Sequence, residues 1–496
     1  MNVLLIYPEF PDTFWGFKHA LRFIRKQASQ PPLGLCTVAA MLPEAWGIRL
    51  VDLNVRRLRK VDLSWADCAF ISGMTLQRTS ANEVIARCKE AGLTIVAGGP
   101  LFTIEHGSFE EVDHFVLNEA ELTLPEFLKD FLNGKAEKIY TTHGFAELRE
   151  SPIPKWDIID RDRYATMCVQ FSRGCPYDCE FCNVTTLFGH RPRTKRPQQI
   201  ISELDQLYGL GWRGGVFFVD DNLIGHKKAL KDELLPALIE WRKDKRGMTF
   251  GTQASINLAD DKELINMMVE AGFRTVFIGI ETPNEESLAE CNKKTNLKRD
   301  LAADVKRIQR AGLEVQGGFI VGFDHDTPNI FRRQIDFIQN SGIVTAMVGM
   351  LQAPDGTKLF TRLKQAGRLL GKITGDNVDG STNIIPMMGL ETLRKGYQEI
   401  TRTIYNPEEY YQRVKTFFQE YQPPSIKMQW QFRPFLNHLY AFLMSMYRLG
   451  IVGKERLQYW KLLGWTIRHK PKLFPLAVTL AIYGYHFRTV TELRIL

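Results

Sequence analysis

Residues 168–183 read Cys168-Val169-Gln170-Phe171-Ser172-Arg173-Gly174-Cys175-Pro176-Tyr177-Asp178-Cys179-Glu180-Phe181-Cys182-Asn183. The first five residues have the short apolar character of a strand, which Gly174 and Pro176 then end. The loop that follows carries three cysteines spaced C-x3-C-x2-C. Thiolates are soft ligands suited to iron–sulfur clusters, and this spacing lets one loop wrap a cubane. Three ligands for four irons leave one iron open to a small molecule, whereas a zinc ribbon or an electron-transfer ferredoxin needs a closed set of four. A zinc site completed by His190 is the alternative that the residues leave open.

Outward from that loop the chain alternates apolar runs with helical stretches. After 168–172, strands are expected at residues 216–220, 249–254, 275–281, 315–323 and 345–351. Six βα units suggest a partial barrel rather than a closed eight-stranded one. Upstream, runs at 3–7, 48–54, 68–72, 94–98 and 114–117 have the pattern of a doubly wound parallel sheet. Three of them end in turn formers, where ligands sit in open α/β sheets: Ser72-Gly73-Met74-Thr75, Gly98-Gly99-Pro100 and Asn118-Glu119-Ala120-Glu121. The expected organisation is α/β: a Rossmann-like domain over 1–135, a linker over 136–163 containing Ser151-Pro152-Ile153-Pro154, a barrel over 164–390 and a mostly helical region over 391–496.

Composition supports a folded chain. Of 496 residues, 44% are hydrophobic and 24% charged, close to the globular average, which excludes disordered, collagen-like and coiled-coil classes. The formal charge of +8 resides in the last fifth, where residues 400–496 carry 14 basic and 5 acidic side chains. Cys36, Cys68, Cys88 and Cys291 stand apart in apolar or helical surroundings and are expected to be buried thiols, not a disulfide framework. The N-terminal residues 1–8 lack a basic n-region and read as a first strand, so a cytoplasmic location is expected. No apolar run reaches the roughly 18 residues of a membrane span, and the nearest, residues 473–485, contains Pro475.

The loop from Arg173 to Asn183, with an aromatic before its last cysteine, resembles the radical S-adenosylmethionine (SAM) superfamily. The resemblance implies a [4Fe-4S] cluster on Cys175, Cys179 and Cys182, whose open iron chelates the amino and carboxylate groups of SAM. Reductive cleavage of SAM would give a 5′-deoxyadenosyl radical that abstracts hydrogen from unactivated carbon. Val219-Asp220-Asp221-Asn222 stands where the family usually shows a Gly-Gly-Glu that accepts from the SAM amino group. Gly279-Ile280-Glu281 resembles the fourth-strand motif, and Gly318-Phe319-Ile320-Val321-Gly322 the segment whose backbone meets the adenine. The implied SAM contacts are therefore Phe181, Asp220, Asp221, Gln253, Ser255, Glu281, Ile320, Val321 and Gly322.

A five-stranded parallel unit ahead of such a barrel resembles the cobalamin-binding domain of B12-dependent members. The stretch Pro31-Pro32-Leu33-Gly34-Leu35 belongs to the same resemblance, which implies cobalamin contacts at Pro32, Leu33, Gly34, Asn54, Ser72, Gly73, Met74, Thr75, Gly98, Gly99, Pro100, Asn118 and Glu119. One departure matters. In the broader D-x-H-x-x-G pattern a histidine ligates cobalt from below, but here Asp52-Leu53-Asn54-Val55-Arg56-Arg57 puts Asn54 in the histidine position. Histidine ligation there is excluded, and base-off cobalamin is expected.

Together these imply a cobalamin-dependent radical SAM C-methyltransferase. It would use two SAM molecules per turnover and pass a methyl from methylcobalamin to an sp3 carbon. The layout resembles hopanoid C-2 methylases and also the methylase of a glutamine carbon in methyl-coenzyme M reductase, so the expected substrate is a lipid or a peptide. A flavodoxin- or ferredoxin-type electron donor is implied as partner. A B12-dependent radical cyclase that transfers no methyl is one alternative; a cobalamin- and cluster-binding sensor without turnover is another. In residues 421–454 no acid occurs, and Lys427, Arg433, Arg448 and Lys454 interleave with aromatics. With Lys470-Pro471-Lys472-Leu473-Phe474-Pro475 beyond them, the tail reads as a helical cap over the barrel or as an interfacial patch on a membrane, with no nucleic-acid partner expected.

Overall fold

A computed structural model describes residues 1–424 and 432–496. Six strands make the first sheet: β1 Asn2–Tyr7, β2 Gly47–Asp52, β3 Cys68–Ser72, β4 Thr94–Gly98, β5 His114–Val116 and β6 Ile139–Tyr140. They are all parallel, in the order β2-β1-β3-β4-β5-β6. Successive side chains of a strand face opposite ways. On β1, accordingly, Val3 and Leu5 enter one apolar cluster while Leu4 and Ile6 enter another. A strand apolar on both faces needs a helical layer on each, which is why β1 reads as an unbroken run. The order reverses between β1 and β3, so the crevice at a switch point opens at the ends of those strands. β6 falls in the stretch read as a linker; at two residues it is too short to show a period.

The second sheet is parallel and runs β14-β13-β12-β11-β10-β7. Its strands are β7 Thr166–Val169, β10 Gly215–Phe218, β11 Thr249–Ala254, β12 Phe273–Glu281, β13 Glu314–Val321 and β14 Ala346–Met350. A two-stranded antiparallel ribbon, β8 Ser172–Arg173 with β9 Arg193–Thr194, brackets the cysteine loop. Strands neighbour one another in chain order, and β7 and β14 remain edges, as in a partial barrel. On β12 the buried Val276, Ile278 and Ile280 alternate with the half-buried Thr275, Phe277 and Gly279.

The C-terminal region is helical: Leu390–Ile404, Pro407–Glu420, Phe432–Ser445, Arg456–His469 and Phe474–Val490. It does not cap the barrel alone. Phe14, from the loop after β1, sits 5.5 Å from Tyr405 and 5.6 Å from Phe487 by ring centroids, so the N-terminal unit reaches into the helical layer. Tyr405 donates to Ala346 O of β14, and the Tyr410 hydroxyl donates to Leu480 O at 2.7 Å. Of the tail aromatics, Tyr459 is buried and Tyr440, Phe442 and Trp465 are half-buried, whereas Tyr447 and Trp460 are exposed. Lys427 and Trp430 lie outside the described residues. No helix among the described residues is long and apolar enough to cross a membrane.

Candidate active site

Gly174 admits the chain to the cysteine loop. Its φ of +91° is unfavourable for side-chain-bearing residues, and a Cβ there would lie 2.9–3.0 Å from the carbonyl oxygens of Phe188, Gly189 and Arg191. Cys175 N–H then donates to Gly189 O at 3.3 Å, and Cys182 N–H to Cys179 O at 3.1 Å. Burial pushes the Cys182 thiol up to about 12, with the neighbouring Cys179 and Cys175 adding to it. Binding iron must therefore displace protons from all three thiols. No three His, Cys, Asp or Glu side chains among the described residues converge on a single ion. A cubane asks for no such convergence, since each thiolate takes a different iron, and three half-buried thiols on one glycine-hinged loop fit it. A cleft of about 200 Å³ adjoins Cys179 and Cys182, with Thr185, Thr186, His190 and Lys358 among its walls.

The strand ends around this loop are tied into one polar network. Asn222 exchanges two hydrogen bonds with Ser255: its Nδ2 donates to Ser255 Oγ at 3.3 Å, and Ser255 N–H donates to its Oδ1 at 3.2 Å. Ser255 Oγ donates to Asn257 Oδ1 at 2.6 Å, and Asn257 Nδ2 to the Tyr177 hydroxyl at 3.0 Å. Tyr177 lies inside the cysteine spacing, so β10 and β11 brace the loop through this chain. Within the run Val219 to Asn222, Asp220 accepts on its two oxygens from Phe171 N–H at 3.1 Å, Ser172 N–H and Ser172 Oγ. It is fully buried, burial pushes it up to about 7, and it anchors the strand that enters the loop. Asp221 next to it receives only a long contact from Gly174 N–H at 3.4 Å.

Glu281 closes β12 with φ +63°, a left-handed conformation that an ordinary residue holds only when its surroundings impose it. Its carboxylate accepts from Lys293 Nζ at 2.7 Å. Burial alone would lower Lys293; the charges of Glu281 and Cys179 overcome that and hold the ammonium well above its ordinary range. Lys293 thus faces both the carboxylate and the thiols, and no spacing in the sequence points to it. Phe181 and Ile320 share an apolar cluster with Phe323 and Leu351. Val321 is buried, Gly322 N–H donates to Asp326 Oδ2 at 2.9 Å, and Gln253 is half-buried on β11.

In the first sheet, Ser72 ends β3 and Gly73, Met74 and Thr75 follow it, Gly98 ends β4 and Gly99 and Pro100 follow it, and Asn118 lies just beyond β5. Met74 is 51% exposed. Pro32, Leu33 and Gly34 open the helix Leu33–Met41. Two of the residues expected to contact cobalamin carry hydrogen bonds within the chain. Asn54 donates to Asp52 Oδ1 at 2.7 Å and Pro8 O at 3.2 Å and accepts from Phe10 N–H at 2.8 Å, so its amide is used within its own fold. The Glu119 carboxylate accepts from Arg173 at 3.2 Å, from Arg193 at 2.8 and 2.9 Å, and from Ala146 N–H. Glu121 adds two bonds from Arg173, at 3.0 and 2.8 Å. Burial would raise Glu121, but the charge and hydrogen bonds of Arg173 hold it down at about 2. This knot joins the end of β5 to the residue two before Cys175.

Trp15, on the loop after β1, is the other residue that spacing does not reveal. It is 40% exposed, and its ring lies 4.7 Å from Phe277 of β12. Phe277 in turn lies across Gly318 of β13, where a Cβ would come within 2.8 Å of the ring.

Residues 169–338 match the model of the radical SAM superfamily, residues 26–128 that of the B12 binding domain, and residues 357–495 that of a domain of unknown function. The chain is 39% identical over 498 aligned residues to an uncharacterised methyltransferase of Synechocystis, covering 99% of this chain and 92% of that one. It is 32% identical to a hopanoid C-2 methylase of Rhodopseudomonas palustris, covering 93% of this chain and 88% of that one. The chain belongs to the cobalamin-dependent radical SAM methylases. A solved structure of the cobalamin-dependent SAM radical enzyme OxsB shares the fold, with TM-score 0.63, 13% identity, and coverage of 99% of this chain and 80% of that one. As a member of this family the protein is a methyltransferase whose cofactors are a [4Fe-4S] cluster, SAM and cobalamin, and the donors of the cysteine loop suit the first of these.

Proposed function

We propose that this methylase acts on an unactivated sp3 carbon of an apolar lipid. The observation that carries the reading is the Trp15–Phe277 pair, an aromatic surface brought to the barrel strand by the N-terminal unit. Aromatic rings offer a broad apolar contact at little entropic cost, which suits a rigid hydrocarbon better than a solvated peptide. The relative that methylates hopanoids supports the same substrate class.

In this reading Cys175, Cys179 and Cys182 hold the cluster. Phe181, Ile320, Val321 and Gly322 receive the adenine side of SAM, while Gln253, Ser255 and Glu281 meet its polar groups. The strand-end turns at 72–75 and 98–100, with Asn118 and Pro32 to Gly34, cradle cobalamin. When bound, the cluster and SAM supply a carbon-centred radical for hydrogen abstraction, and cobalamin supplies the methyl group. The chain's own residues orient these groups and exclude water. Asp220 and Gly174 fix the loop, the Glu119–Arg173 knot fixes the distance between units, and Trp15 with Phe277 holds the substrate. The required electron comes from a low-potential donor of flavodoxin or ferredoxin type, and the basic tail meets the membrane that holds the lipid.

The test is anaerobic turnover of the reconstituted protein with SAM carrying a deuterated methyl group, offered a hopanoid in one arm and a glutamine-containing peptide in the other. Label in the hopanoid supports the reading; label in the peptide alone contradicts it.

A further inference from the structure

Helices Phe432–Ser445 and Arg456–His469 form a hairpin through the π-helical segment Met446–Val452. Ser445 Oγ lies 2.8 Å from the Tyr459 hydroxyl, and Trp460 Nε1 donates to Gly450 O at 3.0 Å, which fixes the two arms side by side. On the first arm Ala441, Ser445 and Leu449 are buried, at a spacing of four. Leu439, Leu443, Tyr447 and Ile451 repeat at that spacing two residues out of phase. Two residues turn a helix by about 200°, so this second series faces away from the first. Its members are between 41% and 61% exposed, rising toward the tip, where Val452 is 63% exposed. The second arm buries Tyr459, Leu462, Leu463 and Thr466 and leaves Leu457, Trp460 and Ile467 exposed.

The charges around this surface have one sign. Arg448, Lys454, Arg456, Lys461, Arg468 and Lys472 are exposed. Glu455 is the one acid in residues 437–472, and it is buried and ion-paired with Arg488. A contiguous apolar surface rimmed by polar groups marks a docking site. A second copy of the chain does not suit it, because a two-fold contact would set the same six cations against one another. An anionic surface does suit it.

We propose that this hairpin is a peripheral docking surface for an anionic lipid bilayer. The apolar series enters the headgroup boundary, and the six cations lie on the lipid phosphates. The Arg25 guanidinium sits 3.9 Å from the Tyr440 ring centroid, so the first arm abuts the N-terminal loop that also carries Trp15 to Phe277. The docked face and the substrate wall are thereby linked through one segment. This deepens the lipid-substrate reading and rests on it for its purpose, whereas the binding itself is measurable without turnover.

The full-length protein is sedimented with vesicles of phosphatidylcholine alone and of phosphatidylcholine mixed with phosphatidylglycerol. The expected result is at least roughly tenfold more protein on the anionic vesicles, declining as added salt shortens the screening length. The Leu443→Glu/Ile451→Glu variant should lose this binding, as should Lys454→Glu/Lys461→Glu. Both pairs are exposed, so neither variant removes a core contact. Leu132→Glu, at an equally exposed site on the first unit, should bind like the parent. The proposal is overturned by equal partition onto neutral and anionic vesicles, by no partition onto either, or by a dimer in sedimentation velocity that the hairpin substitutions abolish. Protein that methylates lipid in detergent yet never binds vesicles refutes the docking alone. Protein that binds vesicles yet methylates no lipid refutes the substrate reading alone.

Discussion

Cys179 shows how a single residue can decide the chemistry. Replacing it with Ala leaves two thiols for a cluster that needs three, so Cys179→Ala should reduce bound iron and the visible iron–sulfur absorption to near background and abolish 5′-deoxyadenosine formation. Lys293 makes a different point. Removing it leaves Glu281, 6% exposed, as an uncompensated charge on a strained backbone. Lys293→Met should therefore cost ~3 kcal/mol, read as a lower urea midpoint, and Lys293→Met/Glu281→Gln should recover most of it. Glu314, which opens β13, is buried with one oxygen unpartnered, and burial pushes it up from 4.5 to about 7. Its neutral form is the one the fold favours. The stability this contributes is complete below about pH 4.5 and disappears as pH rises through about 7. Glu314→Gln should flatten that slope, which at ~1.4 kcal/mol per unit amounts to at most ~3.5 kcal/mol between the limits, measured by unfolding at acidic and alkaline pH.

At the scale of elements, what the sequence makes legible is what is local. The six barrel strands and five of the six strands of the first sheet are visible because buried parallel strands read as short apolar runs between turn formers. The cysteine loop is visible because its three cysteines lie within eight residues. Asp220, Glu119 and Asn54 sit at strand ends where ligands are expected, yet their hydrogen-bonding atoms are committed to other parts of the fold. Asp220 meets residues 48 and 49 positions away, and Glu119 meets arginines 54 and 74 away. Pairings at such separations leave no periodic trace in one sequence. The contact of Trp15 with Phe277 leaves no trace for the same reason. The Arg173 knot carries its own consequence: Arg173→Ala takes from Glu121 the cation that holds its carboxylate down, while Glu119 keeps Arg193, and the change should destabilise the protein by ~3 kcal/mol in urea unfolding. Arg173→Lys should recover only part, because an ammonium cannot reproduce the paired guanidinium bonds.

For the molecule as a whole, side-chain contacts tie the three units together. The first sheet contributes its strand ends and Trp15, the barrel the cysteine loop and Phe277, and the helical layer holds the loop after β1 through Phe14. A second clasp comes from the barrel side: Arg78 donates to Ile373 O at 3.0 Å and Lys372 Nζ to Ser108 Oγ at 2.6 Å. These bonds hold the first unit against the segment after the barrel strands. Trp15→Ala should then leave cluster content unchanged but reduce lipid methylation at least roughly tenfold, the loss of one well-packed aromatic contact. It should do so while 5′-deoxyadenosine still forms, since the substrate wall and not the SAM site is altered.

The central claim, radical methylation of carbon with a methyl that passes through cobalamin, is tested most directly by product stoichiometry. The reconstituted protein is given deuterated-methyl SAM, cobalamin, a strong reductant and the lipid, and 5′-deoxyadenosine, S-adenosylhomocysteine and labelled product are quantified by mass spectrometry. The account predicts the three in equal amounts, with all of the product bearing the label. 5′-Deoxyadenosine without S-adenosylhomocysteine, or lipid consumed without label, would contradict it.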